Sequence, residues 1–135
     1  MPSAKILIVD DDRYFARHYI QQFKNYFIVT ACYDAEHAVQ LLSQPNEFIA
    51  AIIDVMMPAP KGKEDECHHG NSTGIWIIQE CRNAIIAAHL PIIILTYSAL
   101  SSVQFDVKFL DFPSKLVEVR SKSILCVQDL SLVSV

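Results

Sequence analysis

Carboxylates occur twice in this sequence directly after a short apolar run. KILIV, Lys5 to Val9, is followed by Asp10, Asp11 and Asp12, and FIAAII, Phe48 to Ile53, is followed by Asp54. A third run, PIIIL from Pro91 to Leu95, ends instead in a hydroxyl, Thr96. Carboxylates held close together raise one another's pKa, and a hard divalent cation relieves that repulsion. Mg2+ suits such a place because it prefers carboxylate, carbonyl and water oxygens. It also neutralises charge on a phosphoryl group in transfer, and a neighbouring hydroxyl can hydrogen-bond a phosphoryl oxygen. Each feature has a plainer reading as well: aspartates after a strand often cap helices, and a threonine there is often a turn residue. A second cluster, Glu64, Asp65, Glu66, Cys67, His68 and His69, has ligand types for a transition metal. Adjacent histidines with a single cysteine read more simply as a solvated loop.

For these groups to act together, the chain must bring three strand ends to one place. The apolar runs are short and flanked by polar segments, as in strands buried on both faces of a parallel sheet. The Met-Met-Pro after Asp54 stops its strand. Between the runs lie helical patterns. Tyr14, Phe15, Tyr19, Ile20 and Phe23 recur at helical spacing with Asp12 as N-cap, and Asp34 caps a helix carrying Ala35, Ala38, Val39, Leu41 and Leu42. Phe27 to Ala31 reads as a strand and Gly74 to Ile86 as a helix. Ser98 to Phe105 has room for only a short helix, and Val107 to Leu110, stopped by Pro113, reads as the fifth strand. From Ser114 a helix is expected first, with no assignment afterwards.

Strands alternating with helices predict an α/β domain, a doubly wound parallel sheet with helices on both faces. Five strands fit the flavodoxin-like order 2-1-3-4-5, whose ligands bind at the carboxyl ends of the strands near the switch point. That order converges Asp10, Asp11, Asp54 and Thr96. Residues 1–135 read as one stand-alone domain without an effector, with an inserted loop at 59–73 and an atypical segment at 114–135.

Composition agrees with this and excludes several classes. At 52% hydrophobic and 19% charged the chain is globular. A net charge of −4, with scattered Lys and Arg, argues against a nucleic-acid surface. No apolar run reaches membrane-spanning length, and the opening MPSAKILIVDDD turns acidic too early for a signal peptide. Cys32, Cys67, Cys81 and Cys126 stand far apart without a CxxC pair, which suggests neither a zinc ribbon nor a disulfide framework. A reduced, cytoplasmic setting is expected.

KILIVDDD, AIIDVMMP and LPIIILT together resemble the receiver domain of two-component response regulators, from Lys5 to Thr96 and more weakly beyond. The resemblance implies a non-enzymatic phosphoacceptor module that takes a phosphoryl group on Asp54 from a histidine kinase or phosphotransfer protein and signals through protein contacts. It implies Mg2+ held by Asp11, Asp54 and the Met56 carbonyl, with Asp10 acting through water. It also implies Thr96 and Phe109 as switch residues, Phe109 being on strand 5. Three departures stand out: the long insertion before Gly74, Tyr97 after Thr96 where a small residue is usual, and no obvious lysine after strand 5. Aligning VKFLDFP with that strand puts Phe112 in the lysine position, with Lys115 as a substitute and Lys122 a weaker one, since that would leave Val119 at the aromatic position. Two alternatives remain: a degenerate receiver that binds partners without phosphorylation, and a haloacid-dehalogenase-like phosphatase using Asp10 and Asp12.

Overall fold

The apolar runs pair in parallel. In the computed structural model, which describes residues 3–97 and 100–122, β1 (Lys5–Val9), β2 (Ile28–Cys32), β3 (Phe48–Asp54), β4 (Ile92–Thr96) and β5 (Val117–Ser121) form one sheet in the order β2-β1-β3-β4-β5. This is the order expected from the alternation of strands and helices. Helices α1 (Arg13–Phe23), α2 (Ala35–Ser43), α3 (Thr73–Glu80), α4 (Arg82–Ala88) and α5 (Leu100–Lys108) cross over between the strands.

Because successive strand residues point to opposite faces, each run feeds two cores. Leu7, Val9, Ala51, Ile53, Ile92 and Ile94 face α2 to α5, through residues such as Leu42, Ile77, Ile78, Ile85, Val103 and Val107. Ile6, Ile8, Ala50, Ile52, Ile93 and Leu95 face Tyr19 and Phe23 of α1. Asp12 and Asp34 cap α1 and α2 as their positions suggested. The Asp12 carboxylate accepts from the Tyr14 and Phe15 amides, and that of Asp34 from the His37 amide at 2.7 Å.

The region after β4 departs from the sequence reading. Val107 to Leu110 is not a strand. Val107 is one helical turn from Val103, and both are buried against the core, so α5 runs on through Lys108. Asp111 (φ 53°) and Lys115 (φ 67°) turn the chain in left-handed conformations, and the fifth strand follows where a helix was expected. Its period-2 pattern is present in VEVRS. Val117 and Val119 pack on the core, while Glu118 and Arg120 pair at 2.8 Å. The predicted helix over 74–86 is two helices joined at Cys81. The expected segments beyond residue 122, with Cys126, lie outside the described residues.

The insertion at 59–73 is a series of anchored turns. Cys67 is buried, the Thr73 hydroxyl donates to the Met57 carbonyl at 2.6 Å, and the Met57 amide donates to the Gly70 carbonyl at 3.2 Å. Gly70 has φ 93°, and a Cβ there would stand 2.9 Å from the Met57 carbonyl oxygen. Gly74 lies so near β3 that a Cβ would overlap the Asp54 carbonyl and stand 2.9 Å from Val55 Cα.

Candidate functional site

Strand ends bring the predicted carboxylates together. Ligand oxygens of Asp10, Asp11 and Asp54 all lie within 4.8 Å of one another. Asp10 is the most enclosed, at 2% exposure, and its Oδ1 accepts the Asp12 amide at 2.9 Å. Asp54, the last residue of β3, is 7% exposed, and Asp11 faces solvent. Thr96 ends β4 and is buried alongside.

A fourth charged group completes the cluster. Lys122, one residue past β5 and 5% exposed, places its Nζ 2.9 Å from Asp10 Oδ2 and 3.5 Å from Asp54 Oδ2. Its amide donates to the Thr96 carbonyl at 2.9 Å, which extends the parallel ladder by one step. The sequence-based register is therefore corrected. Lys115 is exposed in the turn before β5, and Phe112 packs on the core beneath the Arg82 guanidinium, 5.3 Å from its ring. Phe109 is likewise not on strand 5. It follows α5, is 72% exposed, and lines a cavity of about 700 Å3 together with Met56, Trp76, Thr96 and Val103. In the corrected register Val119, beside Ile94, is the nearest inward position of β5, and the strand VEVRS has no aromatic residue.

Electrostatics follow from burial. Desolvation, then the Asp10 charge, pushes the Asp54 carboxyl up to about 7, and Lys122 offsets part of the rise. Burial and the Asp10 charge also raise the Asp11 carboxyl. Desolvation works against the Lys122 ammonium, yet its contact with Asp10 and the charge of Asp54 outweigh it and hold its pKa above 10.5. Burial, with Tyr97, Asp10 and Asp54 nearby, lifts Tyr19 to about 12.

These residues fit a hard divalent cation. Three carboxylates converge, and the flanking carbonyls of Val55 and Met57 are engaged by the Gly74 amide and the Thr73 hydroxyl. Among the described residues none hydrogen-bonds the Met56 carbonyl between them. The second cluster does not assemble. His68 and His69 sit in left-handed turns, Cys67 is buried, and His69 Nε2 and Asp65 Oδ1 are 4.0 Å apart and exposed. Among the described residues the Asp10, Asp11, Asp54 group alone has three such ligands in reach of one another.

No family model matches the chain. A stretch of 59 residues, 42% of the chain, is 49% identical to Protein PetR of Rhodobacter capsulatus and spans 24% of that protein's length. Solved structures resemble nearly the whole chain. The chemotaxis protein CheY4 of Vibrio cholerae superposes with a TM-score of 0.74 at 20% identity, over 96% of this chain and 98% of that one. A CheY-like response regulator receiver domain protein from Methanospirillum hungatei gives 0.70 at 15% identity, over 96% and 89%. A response regulator from Burkholderia pseudomallei, solved with a phosphorylated aspartic acid, a calcium ion and citrate, gives 0.69 at 16% identity, over 97% and 66%. The fold is that of a CheY-like response regulator receiver domain. No helix among the described residues is long and apolar enough to cross a membrane.

Proposed function

We propose that this chain is a phosphoacceptor receiver module of a two-component phosphorelay, phosphorylated on Asp54. The observation that carries the reading is the Lys122 ammonium, lodged between Asp10 and Asp54 where three carboxylates meet. It would supply the cation that the sequence-based register left without an obvious residue.

An ionised Asp54 oxygen attacks the phosphorus of the donor, the bond from phosphorus to the donor breaks, and the donor leaves with that electron pair. Asp11, Asp54 and the Met56 carbonyl would hold Mg2+, with Asp10 acting through water. When bound, Mg2+ neutralises charge on the phosphoryl oxygens. Lys122 would meet one of those oxygens as the acyl phosphate forms, and the Thr96 hydroxyl would donate to another. The donor is a histidine kinase or a histidine phosphotransfer protein, and the output is a change in contacts with a downstream protein in the cytoplasm. Asp10 is a poorer nucleophile for the phosphatase alternative, because the Asp12 amide and Lys122 already engage its two oxygens.

Incubation with acetyl phosphate and Mg2+ should add one phosphoryl group, seen as a single mass increment. Asp54→Asn should add none, while Asp10→Asn should be slowed but still modified. Labelling that persists in Asp54→Asn would overturn the assignment.

A further inference from the structure

Lysine carries its charge on a flexible four-carbon stem and has no built-in orientation. Lys122 is nevertheless held at every level. Its amide is tied to the Thr96 carbonyl, and its own carbonyl accepts from the Tyr19 hydroxyl at 2.7 Å. Its ammonium also stands over two aromatic rings. Nζ stands 4.3 Å from the centroid of Phe15 and 5.1 Å from that of Tyr97. The rings meet edge to face, with centroids 5.4 Å apart at 69°, and Tyr14 packs on the outer side of Phe15 at 6.0 Å. Phe15 and Tyr19 are four residues apart on α1, so one helix face holds both the ammonium and the backbone of Lys122.

We propose that Phe15 and Tyr97 are positioning residues for Lys122, forming a two-ring bracket that fixes its ammonium over Asp54 and screens that side of the pocket from water. A ring face attracts an ammonium most strongly where water is excluded. Carboxylates alone would leave the stem free to swing toward solvent as charge on Asp54 changes. The bracket limits that swing, so the cation stays where a phosphoryl oxygen would arrive. This consequence for phosphorylation rests on the phosphoacceptor reading; the bracket itself does not.

The test uses the full chain with lysine labelled at 13Cε, first without metal. The Lys122 signal is identified by its loss in Lys122→Met. In the wild type its Hε protons should be shifted upfield of the other lysines by the rings. Phe15→Leu, which keeps apolar bulk but removes the ring face, should return them to the range of the others, and Phe15→Trp should keep the shift. With Mg2+, the limiting rate of phosphorylation by acetyl phosphate should fall roughly 5-fold in Phe15→Leu, within the range for a desolvated cation–π contact. Half-saturating acetyl phosphate should not change, and Phe15→Trp should restore the rate. Should Phe15→Leu fail to fold, Tyr97→Ala carries the same test, because that ring is 58% exposed. An unmoved Lys122 signal in the foldable variants, or a limiting rate equal to wild type, would overturn the proposal. Absence of any phosphorylation in the wild type would instead sink the phosphoacceptor reading, while the metal-free spectra still decide the bracket.

Discussion

Two parts of this molecule are rich in the same charged side chains and are physically opposite. At the strand ends, Asp10, Asp54 and Lys122 are nearly removed from solvent, and Asp11 sits at the mouth. In the loop at 59–73, Lys63 pairs with Glu66 at 3.4 Å and His69 with Asp65 at 4.0 Å, with the partners at least 44% exposed. Coulomb interactions that water screens at the loop are strong at the strand ends, and only there does desolvation displace a carboxyl to about 7. Residue type alone does not make a site; burial of unlike and like charges together does.

The sharpest way to expose that difference is to remove one cation from each place. Lys122→Met leaves Asp10 and Asp54 buried without their counter-charge, and breaking a buried pair costs about 3–5 kcal/mol. Urea unfolding at pH 8 without metal should show a loss near the lower end, about 3 kcal/mol, because Asp54 can take up a proton in response. The loss should shrink at pH 5.5, where protonation replaces the missing lysine. Equal losses at both values would mean that Lys122 acts through packing of its stem rather than its charge.

The wild type should carry the same signature without mutation. In the fold the Asp54 carboxyl stands at about 7, against 3.8 for an ordinary aspartate. A raised carboxyl favours the fold while protonated, so its contribution is fully present below about 3.8 and is lost as pH rises through about 7. Between pH 5.5 and 8 the metal-free protein should lose about 2 kcal/mol from this group. Asp54→Asn, which has no proton to lose, should flatten that part of the profile and be the more stable protein at pH 8. A profile in the variant as steep as the wild type would place the titrating group elsewhere.

The contrast also explains how much of the molecule its sequence disclosed. From Lys5 to Thr96 the three central strands, β1, β3 and β4, are near-continuous apolar runs that end at a polar residue, because they are buried on both faces, and the three carboxylates follow from that. β5 lies at the sheet edge beside β4 alone, so its pattern is weaker: VEVRS alternates over five residues, none of them fully buried, with Val117 and Val119 packed against the core. Val107 to Leu110 looked more strand-like, but its Val107 belongs to the Val103–Val107 stripe of a helix. Misplacing the strand misplaced the lysine and the aromatic residue with it. The available signal was the alternation just before Lys122, set against the left-handed turns that Asp111 and Lys115 provide. The aromatic bracket was not readable, since Phe15 and Tyr97 meet only after α1 and β4 pack on the same side of Lys122.

The smallest effects are expected in the loop, and they test the comparison from its other end. Lys63→Ala removes an exposed i,i+3 pair with Glu66, whose contribution in water is about 0.3–0.5 kcal/mol. His69→Ala removes a partner 4.0 Å from Asp65 on a fully solvated surface and should change thermal unfolding by no more than experimental scatter. If the loop charges hold no ion, adding Mg2+ should raise the unfolding temperature of His69→Ala by the same amount as wild type. On the proposed reading the ion would bind the folded state through the strand-end carboxylates and stabilise it by mass action. Asp11→Ala should lose most of that increase, since Asp11 is the carboxylate facing solvent at the mouth of the cluster. An increase that survives in Asp11→Ala and vanishes in His69→Ala would reverse the assignment: the solvated cluster would then be the metal centre, held together by an ion rather than by burial.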